Sequence, residues 1–206
     1  LEKKIQSEFT YIKEIENALI DNSIDLAVHS MKDIPTEIPD TLAIGVITAR
    51  EDMRDVLISK DNLTLEKLPE GAKIGTSSLR RKAQISYYRN DLQFVDLRGN
   101  VDTRLKKLFE TDLDAIILAY AGVKRLGFED KITQVIPLDI CLPSVGQGAL
   151  GIEIRKSDDK IFKLISFLND DNTSYAIQAE RSLLSALGGG CQVPIGAYSI
   201  IENEKL

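Results

Sequence analysis

Between residues 56 and 138, short apolar runs alternate with segments of helical period, and short connections join them. The runs are Val56–Ser59, Lys73–Gly75, Gln93–Leu97, Asp114–Ala119 and Gln134–Leu138; the helical segments fall at 78–88, 101–110 and 120–126. This alternation predicts an α/β unit with a parallel sheet and helices on both faces. Around it lies a second set of elements. Ile12, Ile15, Leu19 and Ile20 recur at helical spacing and predict a helix over 10–21. Asp25–Val28 and Thr41–Ile47 read as buried strands. A Pro/Gly break at 143–148 precedes a strand at 149–154, helices near 158–168 and 173–187, and a last strand at 196–201. Gly188, Gly189 and Gly190 stop the final helix. The charged stretch 49–55 and the break at 143–148 are candidate crossovers between two domains.

Two strand-to-helix junctions break a local rule in the same way. Residues 75–81 read Gly-Thr-Ser-Ser-Leu-Arg-Arg, and residues 98–104 read Arg-Gly-Asn-Val-Asp-Thr-Arg. Each places arginines beside the first turn of a helix, where the backbone already carries about half a positive charge. Backbone N–H groups, hydroxyls and guanidinium groups at one point form an anion receptor. Between Lys73 and Lys107 there are nine Lys/Arg against three acids, inside a chain of net charge −6. Such local concentration predicts a focused anion pocket and argues against general nucleic-acid binding. In open parallel sheets ligands sit at the carboxyl ends of strands. That edge is predicted to carry His29-Ser30-Met31-Lys32-Asp33, Thr76-Ser77-Ser78, Arg98-Gly99-Asn100 and the turn after Ala119.

Several of these residues also have ordinary structural readings. Ser77 or Ser78, and Asn100, would cap helices well, and Asp102 relieves part of the charge conflict at its helix start. A lone histidine after a buried strand, such as His29, is more often structural than catalytic. Asp33, beside Lys32 and several arginines, is expected to stay ionised and to suit stabilisation of a cation. Cys191 follows three glycines, which allow close backbone approach to a bulky group; its thiol is a candidate attachment point. Cys141 lies among apolar residues and reads as structural. Two cysteines give no disulfide framework. One histidine without a Cys/His cluster gives no expectation of zinc. No apolar run approaches the length of a membrane span.

Six segments together resemble one family, hydroxymethylbilane synthase, also called porphobilinogen deaminase. They are Ala27 to Pro35, Gly75 to Arg81, Arg98 to Leu105, Leu118 to Gly127, Pro143 to Ala149 and Gly189 to Gly196, in family order. The resemblance implies a transferase of heme and tetrapyrrole biosynthesis that joins four porphobilinogen molecules head to tail with loss of ammonia. It implies a dipyrromethane cofactor bound by a thioether to Cys191. By resemblance Asp33 is the catalytic aspartate, which contacts pyrrole N–H groups and stabilises the azafulvene cation left by ammonia loss. Lys32, Ser78, Arg80, Arg81, Arg98, Arg104 and Arg125 bind the acetate and propionate side chains. Ser30, His29, Thr76, Ser77 and Ala119 complete that set, and Gln147 and Gly148 belong to the interdomain segment beside the cofactor.

The implied fold is two type II periplasmic-binding-protein-like α/β domains with mainly parallel sheets, plus part of a small third α/β domain. The expected division is 1–48 with 149–168, then 54–142, then 171–206, which carries the cofactor cysteine. Relative to the family, both ends are expected to be truncated: the opening strand and helix are missing, and the third domain has only begun. A cytoplasmic monomer is expected, with porphobilinogen as its small-molecule partner and neither nucleic acid nor membrane. The competing reading is a non-catalytic two-domain protein that closes on an anion. It has no use for Cys191 after three glycines, or for Asp33 among basic residues.

Overall fold

The computed structural model describes residues 12–188, 193–203, 205 and 206. The chain divides into two units. One draws on Leu1–Arg50, Ala149–Cys191 and Ser199–Leu206; the other on Glu51–Gly148 and Gln192–Tyr198.

The described part of the first unit begins with helix α1 over 12–20. Its strands are β1 (Ala27–Ser30), β2 (Leu42–Ile47) and β8 (Leu150–Arg155). Among the described residues they form a three-stranded sheet in the order β1-β8-β2, and β8 is antiparallel to both neighbours. Helices α5 (Asp159–Ile165) and α6 (Asp171–Ala186) follow. Asp158 and Asp170 cap them, accepting from Ile161 N and Thr173 N. Ile177 of α6 is fully buried against Met31, Ile34, Ile47 and Ala149. Leu19, Ala27 and Leu42 form a second small core beneath α1.

The second unit holds β3 (Asp55–Ser59), β4 (Lys73–Gly75), β5 (Gln93–Val95), β6 (Ala115–Ala119) and β7 (Gln134–Val135), in the order β5-β4-β6-β3-β7. Its helices are α2 (Leu79–Tyr88), α3 (Val101–Glu110) and α4 (Tyr120–Arg125). Every residue of β3 is buried, and so are the first four of β6, as a sheet covered on both faces requires. Alternate side chains serve opposite faces. Leu57, Ile74, Ala115 and Ile117 pack with Ile85 of α2. Val56, Ile58, Ile116 and Leu118 pack with Leu105 and Leu108 of α3 and Val123 of α4.

Two expectations need correction. The strands are mixed in direction rather than mainly parallel: β4 runs parallel to β5 and β6, whereas β3–β6, β3–β7 and both β8 pairings are antiparallel. The exceptions are the strands that follow the crossovers. β3 begins at the end of 49–55, and β8 follows 143–148 and inserts between β1 and β2. The strand expected at 196–201 is absent; an isolated bridge between Glu202 and Lys205 follows instead. Ladder bonds are replaced there by a loop carbonyl and a side chain: Ala197 N donates to Pro143 O at 3.1 Å, and Ser199 N to Glu180 Oε1 at 2.9 Å.

Gly75 ends β4 where the chain turns toward α2, and its neighbours leave no space for a side chain. An added Cβ would lie 2.9 Å from Leu113 Cδ1 and 3.0 Å from both Ile116 Cγ2 and Leu97 Cδ2. Gly75→Ala in the full-length protein should therefore lower stability by about 1–3 kcal/mol, the usual cost of overpacking. Urea unfolding followed by circular dichroism measures it; an unchanged midpoint would show that these side chains yield freely.

Candidate functional site

In the second unit β5, β4 and β6 are parallel neighbours, so their carboxyl ends share one edge. The chain leaves that edge through Thr76–Ser78 after β4, through 96–100 after β5, and through Ala119 into α4 after β6. β3 runs the other way and pairs Asp55 with Ala119, which puts its amino end on the same edge.

The serines and the asparagine build the two helix starts. Ser78 Oγ accepts from Arg81 N and caps α2, while Thr76 Oγ1 accepts from Ser78 N at 3.2 Å. Ser77 Oγ donates to Leu97 O at 3.0 Å. Asn100 Oδ1 caps α3, accepting from Thr103 N at 2.9 Å. Gly99 just before it has a φ of +118°, a left-handed conformation that disfavours a side chain. The hydroxyls of Thr76, Ser77 and Ser78 thus have partners within the protein.

Arg80 and Arg81 lie inside the unit, at 4% and 5% exposure. Arg80 Nη2 donates to Asp55 Oδ2 at 2.8 Å, and Arg81 Nη2 to Asp55 Oδ1 at 2.6 Å. Arg80 also donates through Nε to Ser144 Oγ at 3.1 Å and through Nη1 to Leu142 O and to Cys141 Sγ. Arg81 Nη1 donates to Ile117 O at 3.0 Å. Gln147, also buried, donates from Nε2 to Asp55 Oδ1 at 2.9 Å and to Met53 O at 2.7 Å. An anion needed at the start of α2 is therefore supplied by the chain itself. Burial alone would raise the Asp55 pKa. The Arg81 and Arg80 charges, with hydrogen bonds from Arg81 and Gln147, outweigh it and hold the carboxyl well below the usual range. The Cys141 thiol beside it is pushed up to about 12 by burial and then by the Asp55 charge, against the lowering effect of the two arginines.

The other arginines differ. Arg98 and Arg125 are exposed, and among the described residues neither guanidinium has a partner. Arg104 is half-buried, and its Nε donates to Gly99 O at 2.7 Å. Arg81 Nε is buried without a partner. This donor set suits an organic polyanion: exposed guanidinium groups at the edge and, beneath it, a net-positive cluster with one unfilled N–H.

In the first unit Lys32 and Asp33 sit in a 3₁₀ turn, Met31–Asp33, directly after β1; Asp33 is exposed and Lys32 half-buried. Met31 N donates to Ala149 O at 3.0 Å, tying the turn to the start of β8. Ser30, the residue before the turn, is half-buried. His29 faces the interior, its Nε2 3.0 Å from Glu153 Oε2. In the second unit Gly148 ends the return segment with a φ of +94°, and its carbonyl accepts from Glu51 N at 3.0 Å. Cys191 lies outside the described residues, as do Gly189, Gly190 and Gln192.

Three buried acids escaped sequence reasoning. Asp55 reads as the end of a charged crossover, Glu153 falls within the strand expected at 149–154, and Glu180 within the helix expected at 173–187. Glu180 instead forms a two-point pair with Arg50, at 2.6 and 3.1 Å. For Asp55 and Glu153 a signal existed: each is a lone acid directly adjoining residues of an apolar run, where an unpaired charge is too costly to keep.

The model of the family described as "Porphobilinogen deaminase, dipyromethane cofactor binding domain" matches residues 2–163, and that described as "Porphobilinogen deaminase, C-terminal domain" matches 174–206. The chain belongs to the porphobilinogen deaminase family. Relatives named porphobilinogen deaminase include those of Pelotomaculum thermopropionicum, 52% identical over 203 residues, and Carboxydothermus hydrogenoformans, 54% identical over 203 residues. Each alignment covers 98% of this chain and 65% of the relative, so the chain spans just under two thirds of their length. A relative from Brevibacillus brevis is 53% identical over 98% of this chain and 66% of its own. Among solved structures the methionine-binding protein MetQ aligns with a TM-score of 0.51 at 13% identity, covering 90% of this chain and 82% of that one. That likeness concerns fold: this is the type II periplasmic-binding-protein-like α/β architecture. Among the described residues no helix is long and apolar enough to cross a membrane.

The basic junction at Gly75–Arg81 thus rests on a carboxylate outside it. The sign of the pH dependence follows. A carboxyl whose folded-state pKa is depressed contributes stability above its unfolded pKa, near 3.9, and loses it as pH falls toward the folded value. Asp55→Asn in the full-length protein should lower stability at pH 7 by about 3–5 kcal/mol, because two buried guanidinium groups lose their counter-ion. Stability of the variant should also fall less steeply than wild type below about pH 4. Equal acid slopes for the two proteins would contradict the pairing. Cys141 should resist alkylation at pH 8 in the folded state and react once unfolded.

Proposed function

We propose that the full-length protein containing this chain is a transferase that joins four porphobilinogen molecules head to tail, releasing ammonia at each addition, and yields hydroxymethylbilane. The observation that carries this reading is the match of the dipyromethane cofactor binding domain along residues 2–163, which takes in the Asp33 turn and the basic edge. Porphobilinogen carries an acetate and a propionate, so a growing chain of pyrroles accumulates carboxylates. Exposed Arg98 and Arg125, with Arg104, would bind them through charge-assisted hydrogen bonds. Thr76, Ser77 and Ser78 would hold the start of α2 in place, with Arg80 and Arg81 supplying positive charge beneath it. Ala119 begins the turn that presents Arg125, and Ser30 and His29 hold the strand end before Lys32 and Asp33. Gln147 and Gly148 would fix the return segment.

Asp33 is the proposed catalytic carboxylate. Exposed on a short turn, it can accept hydrogen bonds from pyrrole N–H groups and balance the positive charge that develops as ammonia leaves. Lys32 beside it would pair with a substrate carboxylate. Dipyrromethane, joined to Cys191 by a thioether, would supply the pyrrole terminus that is extended. We further propose that 171–206 opens a third domain, a reading supported by the C-terminal domain match at 174–206, and that the protein works as a cytoplasmic monomer.

Two measurements on the full-length protein test the proposal. Asp33→Asn should reduce bilane formation by about 10²–10³-fold and leave the melting temperature nearly unchanged, since Asp33 is exposed. Near-normal turnover would remove Asp33 from the chemistry. Intact-protein mass spectrometry of protein from cells that make porphobilinogen should show the mass of two linked pyrroles in wild type and Cys141→Ser, and none in Cys191→Ser. Added mass surviving in Cys191→Ser, or missing from wild type, would overturn the attachment.

A further inference from the structure

The Asp55 carboxylate is committed on all sides within the second unit. Oδ1 accepts from Arg81 Nη2 at 2.6 Å and from Gln147 Nε2 at 2.9 Å; Oδ2 accepts from Arg80 Nη2 at 2.8 Å and faces Cys141 Sγ at 3.5 Å. A side chain so occupied, and fully buried, is not available as an acid or base toward a ligand. Its effect on a ligand must act through the groups it holds.

Those groups sit at the start of α2. Arg80 and Arg81 are the second and third residues of that helix, and the same turn carries the Ser78 cap. Asp55 joins them to the amino end of β3, while the Arg81 bond to Ile117 O joins them to β6. Asp55 is thus the charged member of the set of acceptors that hold the α2 start, beside Ser144 Oγ, Leu142 O and Ile117 O. It also sets the local charge: two guanidinium groups against one carboxylate leave a buried residual of one positive charge. Arg81 Nε, buried without a partner, shows that protein acceptors do not exhaust that cation.

We propose that Asp55 is a positioning residue for the anion-binding edge, fixing the first turn of α2 and holding its buried charge at a single net positive. It is not a catalytic residue, and the inference rests on the function proposed above. Without the carboxylate the two arginines repel each other and turn to other acceptors, and the helix start shifts with them. The carboxylates of the bound dipyrromethane then lose their register, although Arg98, Arg104, Arg125 and Asp33 are all still present.

The test uses full-length protein made in cells that produce porphobilinogen, with dipyrromethane occupancy read by intact mass and folding read by circular dichroism and thermal melts. Four proteins are compared: wild type, Asp55→Asn, Asp55→Glu and the control Leu65→Ala. Leu65 is fully buried in the same unit but outside the Asp55 hydrogen bonds, so its variant reports destabilisation alone. Asp55→Asn should be folded with occupancy at least tenfold below wild type. Asp55→Glu should recover part of it, and Leu65→Ala should be fully loaded. If Asp55→Asn does not fold, Asp55→Glu decides, because its charge is kept and displaced by one methylene: reduced occupancy supports the role and full occupancy refutes it. Full loading of Asp55→Asn, or an equal loss in Leu65→Ala, would overturn the positioning role. An unloaded wild type would instead remove the proposed function and this inference with it; a loaded wild type with a loaded Asp55→Asn removes only the inference.

Discussion

One carboxylate faces two guanidinium groups inside the second unit, and the start of α2 at the strand ends is built around that pairing. Removing any ion from water costs several kcal/mol, and Coulomb attraction offsets this only where geometry is close and the remaining hydrogen bonds are filled. Asp55 meets both conditions: its oxygens are divided between Arg80 and Arg81, and Gln147 fills a further position. Replacing all three residues by well-packed apolar ones could serve stability equally well. The retention of a residual positive charge is better understood as serving the edge above it.

The surrounding architecture explains how so few residues set that edge. Three parallel strands end together, and α2, α3 and α4 start there. Ser78 and Asn100 cap α2 and α3 with their own side chains. The helices divide between the two sheet faces, α2 on one and α3 with α4 on the other. Each is therefore held by apolar packing along its length and by polar bonds at its start. In the first unit the Asp33 turn is held in a comparable way. Met31 is buried beneath it and its N–H reaches Ala149, so an exposed carboxylate stands on a fixed base.

Much of this was legible in the sequence. Among the described residues, apolar runs and helical periods located the eight strands and six helices, because the inner strands β3 and β6 are buried on both faces and the helices turn apolar residues to the sheets. Strand direction was not legible, since β3 and β8 have the same buried apolar pattern whichever way they run. The expected strand at 196–201 failed because its backbone groups bond a loop carbonyl and the Glu180 carboxylate. At the site, the two basic junctions were visible as a conflict with the helix dipole. Their internal resolution was not, because Asp55 is 25 residues from Arg80 in the chain and the two meet through the pairing of β3 and β4 on either side of β6. Asp33, Arg98 and Arg125 are exposed.

The central claim is that Asp55 is retained for its coupling to the arginines. A double-mutant cycle measures this directly, by denaturant unfolding of the full-length protein with Asp55→Asn, Arg81→Gln and the two combined. The account predicts strong non-additivity. Asp55→Asn alone leaves two buried cations unpaired, whereas the double variant removes one of them, so it should be no less stable than the Asp55→Asn single variant. Simple addition of the two losses would show that Asp55 and Arg81 act independently and would contradict the account.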